Sequence, residues 1–474
     1  MTRTISARNP RTGAPDYTCP ALDSADIATV ADAVRANQKP WAALSLDQRR
    51  HRLKGLADAL HTHIDAIAHS LEIDTGRRRI ARMEVEGVAQ SILGWIAQAP
   101  HLLPSGWIEG RGNRAIRHAP QFAPYALVGV ISPWNFPITL SMIDTIPALL
   151  AGCAVIIKPS EVTPRFVAPL RDAIEDAGLS DVLAIVTGDG ATGAALIDAV
   201  DAICFTGSVA TGRKVAMAAA GRMIPAFLEL GGKDPLIVTE SADLDRATDA
   251  ALRGSVLSTG QACQSIERIY VQRDVHDAFL SRLVAKARAA RLNWPEISVG
   301  EIGPIIFDRQ ATILESHIRD AREKGAQVLT GGEIEHHGGG LWLRPTVISG
   351  ATHEMKVVTE ETFGPIMPVI AFDGIEEAVA LANQTEYGLS AAVFAGTLDE
   401  AEAIGREIDA GAVSLNDAAL TALFHEAEKH SFKHSGLGGS RMGPAGFQRF
   451  LRRKALIANT GAPLPLSAFS EDAR

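Results

Sequence analysis

Twice along this chain, short β-branched runs alternate with amphipathic stretches of helical period, and that rhythm leaves few folds open. The first set is Ala126–Ile131, Ala154–Ile157, Val182–Val186 and Ile203–Phe205, with helical stretches between them. The second is Leu236–Val238, Ile269–Val271, Gln327–Leu329, Val369–Ala371, Ala391–Phe394 and Gly411–Leu415, separated by helices such as Asp277–Ala290. Strands that alternate with helices form βαβ units and parallel sheets, so the pattern predicts two α/β lobes. Their boundary falls near Gly231-Gly232-Lys233, and Gly338-Gly339-Gly340 reads as a surface turn inside the second lobe. Ahead of both, residues 45 to 100 read as helix, with apolar positions returning through Leu53, Leu56, Leu60, Ile64 and Ile67. A length of 474 residues agrees, because one core stops growing well below that size.

Composition narrows the function. The apolar share is 46%, ample for a packed core, and the net charge of -9 gives no footprint for nucleic acid. Arg77-Arg78-Arg79 and Arg452-Arg453-Lys454 are short enough to be solvated faces. The segment Met1 to Pro10 has no apolar central region, so it is not a secretory signal, and the apolar stretch from Ile146 to Ile157 is too short for a bilayer about 30 Å thick. It reads as core helix followed by core strand. Cys19, Cys153, Cys204 and Cys263 form no CxxC pair, which argues against a disulfide framework or a zinc site and fits a reducing compartment. These points predict a cytoplasmic protein without a membrane or nucleic-acid partner.

Two segments offer a dinucleotide-binding turn. Gly188-Asp189-Gly190-Ala191-Thr192-Gly193 matches GxGxxG between strand and helix. Phe205-Thr206-Gly207-Ser208-Val209-Ala210-Thr211-Gly212 also leaves a strand and opens a helix, where amides meet a pyrophosphate at the positive helix end. Either cluster also serves simply as a tight turn.

Five further segments decide the reading: Pro133-Trp134-Asn135-Phe136-Pro137, Lys158-Pro159-Ser160-Glu161, Glu229-Leu230-Gly231-Gly232-Lys233, Gly260-Gln261-Ala262-Cys263 and Glu361-Thr362-Phe363-Gly364-Pro365. In this order the chain resembles the aldehyde dehydrogenase superfamily from about residue 10 to residue 455. The resemblance implies two Rossmann-like parallel-sheet lobes and a small β oligomerisation element. It assigns 1–105 and 125–231 to NAD binding, 232–430 to catalysis, and 106–124 with 431–474 to the oligomerisation element and tail. A β-hairpin around 106–124 and a strand near 445–458 would form that element, in a homodimer or homotetramer.

The chemistry explains why such residues belong together. An aldehyde yields hydride only after a nucleophile has added to its carbon, and a thiolate suits that task. The resemblance implies Cys263 as this nucleophile, Asn135 with the Cys263 N–H as oxyanion donors, and Glu229 as the base that hydrolyses the thioester. Cys153 and Cys204, in apolar strand patterns, read as buried small hydrophobes. Relatives that transfer the acyl group to coenzyme A commonly lack a glutamate at the position of Glu229, so the free acid is the expected product. The resemblance further implies Lys158 and Glu161 at the adenosine ribose, Gly207, Ser208 and Gly212 near the pyrophosphate, and Glu361 with Phe363 at the nicotinamide ribose and ring. Trp134, Ser160, Gly190, Leu230 and Gly231 complete the expected cofactor surroundings, while the GxGxxG turn itself lies to one side. A carboxylate at Glu161 accepts bonds from free ribose hydroxyls and repels a 2′-phosphate, which favours NAD over NADP.

The chain departs from the family at His430-Ser431-Phe432-Lys433-His434-Ser435-Gly436, where a proline-phenylalanine-glycine-glycine run is usual. Gln264 after the nucleophile is polar, and reads either as a contact for a polar substrate group or as a partner of neighbouring backbone. Trp134, Phe136 and Phe424 are candidates for an apolar substrate tunnel, with core packing as the alternative. His425 and His430 are five apart and do not form a zinc pair. The motifs do not name the aldehyde.

Overall fold

The computed structural model describes residues 3–471; residues 1, 2 and 472–474 of the segments assigned above lie outside the described residues. The helical approach is three helices, Leu46–Thr62, Ile64–Thr75 and Arg78–Gln98, and all five apolar positions named above are buried. An earlier helix, Ser24–Ala43, escaped the periodicity because its buried stripe is Ile27, Ala31, Val34, Gln38 and Trp41, in which alanine and glutamine blur the apolar repeat. Its N-terminus is written plainly, by a capping box between Asp23 and Asp26.

The first sheet has the spatial order 436–437, 226–229, 202–206, 127–131, 154–158 and 183–185, all parallel except the first strand. Sequence order reverses between Leu127–Ile131 and Ala202–Thr206, and crevices at such reversals, beyond the carboxyl ends of the strands, are where α/β sheets bind ligands. The predicted helix and strand at 146–157 are the end of Pro137–Ala151 and the strand Ala154–Lys158, whose five residues are all buried.

The second sheet runs 327–330, 346–349, 366–372, 266–272, 234–238, 391–394 and 413–415, with Gln327–Thr330 antiparallel to Thr346–Ser349 and the rest parallel. Only Leu230 to Lys233 separate the last parallel strand of the first sheet from Asp234–Val238 of the second. The carboxyl edge of one sheet therefore meets the amino edge of the other. Gly338 and Gly339, both at positive φ, turn the hairpin Ile334–His337 to Gly340–Leu343.

A third sheet pairs Leu451–Asn459 along the whole of Ile116–Pro124, with Ile108–Glu109 on the far side. Part of 431–474 lies elsewhere. Phe432–Lys433 pairs with Tyr387–Gly388, Gly436–Leu437 extends the first sheet beside Ala226–Glu229, and Gly443–Gln448 is helical. Gly436 permits that edge pairing, because a Cβ there would stand 2.6 Å from the Leu228 carbonyl oxygen. Among the described residues no helix is long and apolar enough to cross a membrane.

Candidate active site

The family motifs fall on the two facing sheet edges. Trp134 and Asn135 follow Leu127–Ile131, Ser160 and Glu161 follow the strand ending at Lys158, Gly207 and Ser208 follow Ala202–Thr206, and Glu229 ends its strand. From the opposite side come Cys263 ahead of Ile266–Gln272 and Glu361 with Phe363 ahead of Ile366–Phe372.

Three left-handed residues in a row, Ser258, Thr259 and Gly260 (φ 57°, 61° and 67°), lead into Cys263. Left-handed geometry is costly for non-glycine residues, above all a β-branched one, so the surroundings must hold the turn. Thr259 Oγ1 donates to the Gly303 carbonyl (3.0 Å), and the Gln261 side chain spans the gap to Pro304 O (3.2 Å) and the Ile306 N–H (2.9 Å). Gly260 must be glycine, since a Cβ would strike the Gly364 carbonyl. Gly232 lies against the Cys263 carbonyl, where a Cβ would come within 2.5 Å. The Asn135 amide is buried and donates from Nδ2 to the Gln261 carbonyl (3.0 Å), while the Asn135 carbonyl receives the Arg77 guanidinium. Asn135 is thus fastened to the loop that carries Cys263.

Cys263 is partly exposed, whereas Cys153 and Cys204 are fully buried and burial pushes both thiols far up, as expected for packing residues. Burial also pushes the Cys263 thiol up, to about 12, with the carboxylates of Asp234, Glu361 and Glu229 adding to the shift and Lys429 opposing it. Glu229 Oε2 accepts from Ser431 Oγ (2.7 Å) and lies 3.7 Å from Lys429 Nζ. Burial likewise lifts Asp234 to about 7 and Glu361 to about 8. Glu361 folds back over the glycine pair, with Oε1 accepting the Gly232 N–H (3.2 Å), and a Cβ on Gly231 would collide with its carboxylate.

The opposite part of the crevice has the chemistry of a dinucleotide site. Ser208 caps the helix Val209–Gly221 through the Thr211 N–H, and Ser208, Ala210 and Thr211 leave that positive helix end exposed. Gly212 abuts Leu230, whose backbone N–H is fixed to the Ser435 carbonyl (2.8 Å). Lys158 is buried with Nζ 3.1 Å from the half-exposed Glu161, which sets a donor beside an acceptor as a ribose diol requires. Trp134 stands edge-on to Phe363 (ring centroids 5.4 Å apart), a flat apolar wall. By contrast the GxGxxG turn is closed: Asp189 caps the helix opened by Gly190 and is itself paired with Arg3 (2.7 Å). The Ser160 hydroxyl accepts from the Val162 N–H (3.2 Å) within its own turn.

A cavity of about 670 Å³ is lined by Met83, Val88, Phe136, Ile143, Leu257 and Leu423, with Arg78, Arg79 and Glu301 among its polar residues. Phe136 lines this cavity, with the Arg77 guanidinium over its ring (5.1 Å); Trp134 packs on Phe307 and Phe363 and does not line it. Neither does Phe424: it is 53% exposed, and its neighbour Leu423 faces the cavity instead. Gln264 Oε1 accepts from Thr421 Oγ1 (2.6 Å), which ties its amide oxygen to the neighbouring segment. Sequence reasoning missed Glu267, which accepts from Lys233 Nζ and the N–H groups of Thr362 and Phe363 (2.7 Å each) and so fixes the loop carrying Glu361. It also missed Lys429. The signal for Glu267 was its place on a buried strand, where a charge survives only if paired.

Comparison with known proteins agrees with this geometry. The model of the aldehyde dehydrogenase family matches residues 1–456. A Mycolicibacterium smegmatis protein carrying the provisional name succinate-semialdehyde dehydrogenase (NADP+) is 36% identical over 96% of this chain and 90% of its own. A 3,6-anhydro-alpha-L-galactose dehydrogenase of Streptomyces coelicolor is 34% identical, covering 96% and 92%. Among solved structures, the provisionally named aldehyde dehydrogenase PutA of Anabaena variabilis superposes with a TM-score of 0.95 at 52% identity, covering 98% and 99%. A betaine aldehyde dehydrogenase of Staphylococcus aureus, in complex with NAD+, gives a TM-score of 0.91 at 28% identity, covering 99% and 96%.

Proposed function

This chain belongs to the aldehyde dehydrogenase family, and we propose that it oxidises an aldehyde to the free carboxylate through a thioester on Cys263. The observation that carries this reading is the convergence of Cys263, Asn135 and Glu229 between the two sheet edges, with Asn135 fastened to the Cys263 loop. The Cys263 thiolate adds to the carbonyl carbon. An amide carries two N–H groups; one is held by the Gln261 carbonyl, and the other receives the developing oxyanion together with the Cys263 N–H. Bound oxidised nicotinamide supplies the hydride acceptor. Collapse of the tetrahedral centre leaves the thioester, Glu229 takes a proton from water, and the attacking oxygen displaces the thiolate to give the acid.

Lys158, Glu161, Ser208 and the Trp134–Phe363 wall are assigned to holding the dinucleotide, with NAD preferred because Glu161 would repel a 2′-phosphate. The name of the Mycolicibacterium smegmatis relative, which specifies NADP+, points the other way. The largely apolar cavity favours an aldehyde with an apolar body, while Arg79, which also lines it and among the described residues is not paired with a carboxylate as Arg78 is with Glu72, would suit the carboxylated aldehyde named for that relative. The exposed Ile108 and Ile457, both in register with His118 on one face of the third sheet, support association of chain copies through that face. Reduced-cofactor formation by purified protein, with NAD or NADP, no coenzyme A, and apolar and carboxylated aldehydes, tests the whole reading. Turnover with NAD and apolar aldehydes that vanishes in Cys263→Ala is expected; an absolute need for coenzyme A would sink it.

A further inference from the structure

One charge in the catalytic crevice has no part in the scheme above. Lys429 immediately precedes the segment where the sequence leaves the family pattern, and it is 5% exposed. Its Nζ is sealed from solvent, has no hydrogen-bond partner among the described residues, and stands 3.7 Å from Glu229 Oε2. Burying an ammonium without a hydrogen bond is unfavourable, so its place here calls for a use of the charge. The backbone around it is fixed. The Lys429 N–H donates to Ser440 Oγ (3.1 Å), which also receives the Met442 N–H (3.0 Å). Two residues on, Ser431 donates to the same Glu229 oxygen, and Gly436 is in register with Glu229 across the sheet edge. One stretch of chain thus delivers an ammonium and a hydroxyl to one oxygen of one carboxylate.

The other charges in this region do not substitute for it. Lys233 is consumed by Glu267 and Thr362 (2.7 Å each). Arg441 is bonded to Asp144 (2.8 Å) and Thr206 (2.6 Å), and acts on Glu229 only through its field; His425 lies beside it. The groups acting on Cys263 from the facing strands and loop are the carboxylates of Asp234, Glu361 and Glu229, so Lys429 is the cation set among them.

We infer that Lys429 is a positioning residue: with Ser431 it fixes Oε2 of Glu229, leaving Oε1 to take the proton from water, and it offsets the negative field over Cys263. The inference rests on Cys263 and Glu229 acting as proposed above. With that hold removed, the carboxylate no longer meets the attacking water in one place, so release of the acyl group slows more than its formation.

The test compares full-length wild type, Lys429→Met and Lys429→Arg by the burst of reduced cofactor in the first turnover, by steady-state kcat, and by the rate of Cys263 alkylation with iodoacetamide at pH 8. In Lys429→Met the burst should keep its amplitude while steady-state kcat falls roughly tenfold. Alkylation should slow several-fold, and Lys429→Arg should restore both. A burst and a steady-state rate lowered in equal proportion would overturn the inference by marking a packing role. So would an unchanged kcat accompanied by a KM increase confined to carboxylated aldehydes, which would make Lys429 a substrate reader. If Lys429→Met does not fold, Lys429→Gln carries the same readout. Alkylated Cys263 with full remaining turnover would instead defeat the nucleophile assignment on which the inference stands.

Discussion

Two buried lysine–glutamate pairs flank the crevice, and they are built to opposite standards. Lys233 and Glu267 are saturated: the ammonium bonds both Glu267 and Thr362, and the carboxylate collects two backbone N–H groups as well. Lys429 and Glu229 are 3.7 Å apart, the ammonium lacks a hydrogen bond, and the carboxylate has one from Ser431. A saturated pair fixes geometry, here the loop bearing Glu361 and Phe363; an unsaturated one keeps a carboxylate oxygen available to a substrate water.

The contrast is open to attack by substitution. Lys233→Met removes one partner of the saturated pair and strands Glu267, which should cost about 3–5 kcal/mol of stability in urea unfolding; a loss below about 1 kcal/mol would erase the distinction. Glu229→Gln should cost only about 1 kcal/mol, since Lys429 has no hydrogen bond to lose, yet turnover should fall about 10²–10⁴-fold in steady-state assays. The smallest effect concerns wild-type protein. With the Cys263 thiol pushed up to about 12, its thiolate fraction grows with every unit of pH across the neutral range. The logarithm of its alkylation rate in the absence of cofactor should therefore climb with a slope of about one between pH 6 and 9, and a plateau near neutrality would contradict the burial argument.

Sequence legibility followed the same divide. Most of both parallel sheets was readable because the central strands are buried, β-branched runs such as Ala154–Lys158, although Ala226–Glu229 and Thr346–Ser349 were not, and the nucleophile loop was readable because its residue types are dictated by close backbone approach at Gly232 and Gly260. What stayed hidden depended on tertiary pairing. The edge strand Gly436–Leu437 is two residues long and has no apolar period of its own, and Lys429 among Glu426, Glu428 and His430 looks like solvated charge until the fold buries it. Phe424 failed in the reverse direction, an aromatic residue turned outward while Leu423 faces the cavity.

The central claim is that the acyl group passes through Cys263 and leaves with the help of Glu229. Its most direct test is to mix Glu229→Gln with NAD and an aldehyde that the wild type oxidises, quench in acid, and weigh the peptide that contains Cys263. The account predicts that this peptide gains the mass of the acyl group while reduced cofactor appears in a single burst; an unmodified Cys263 alongside that burst, or the acyl group on another residue, would contradict it.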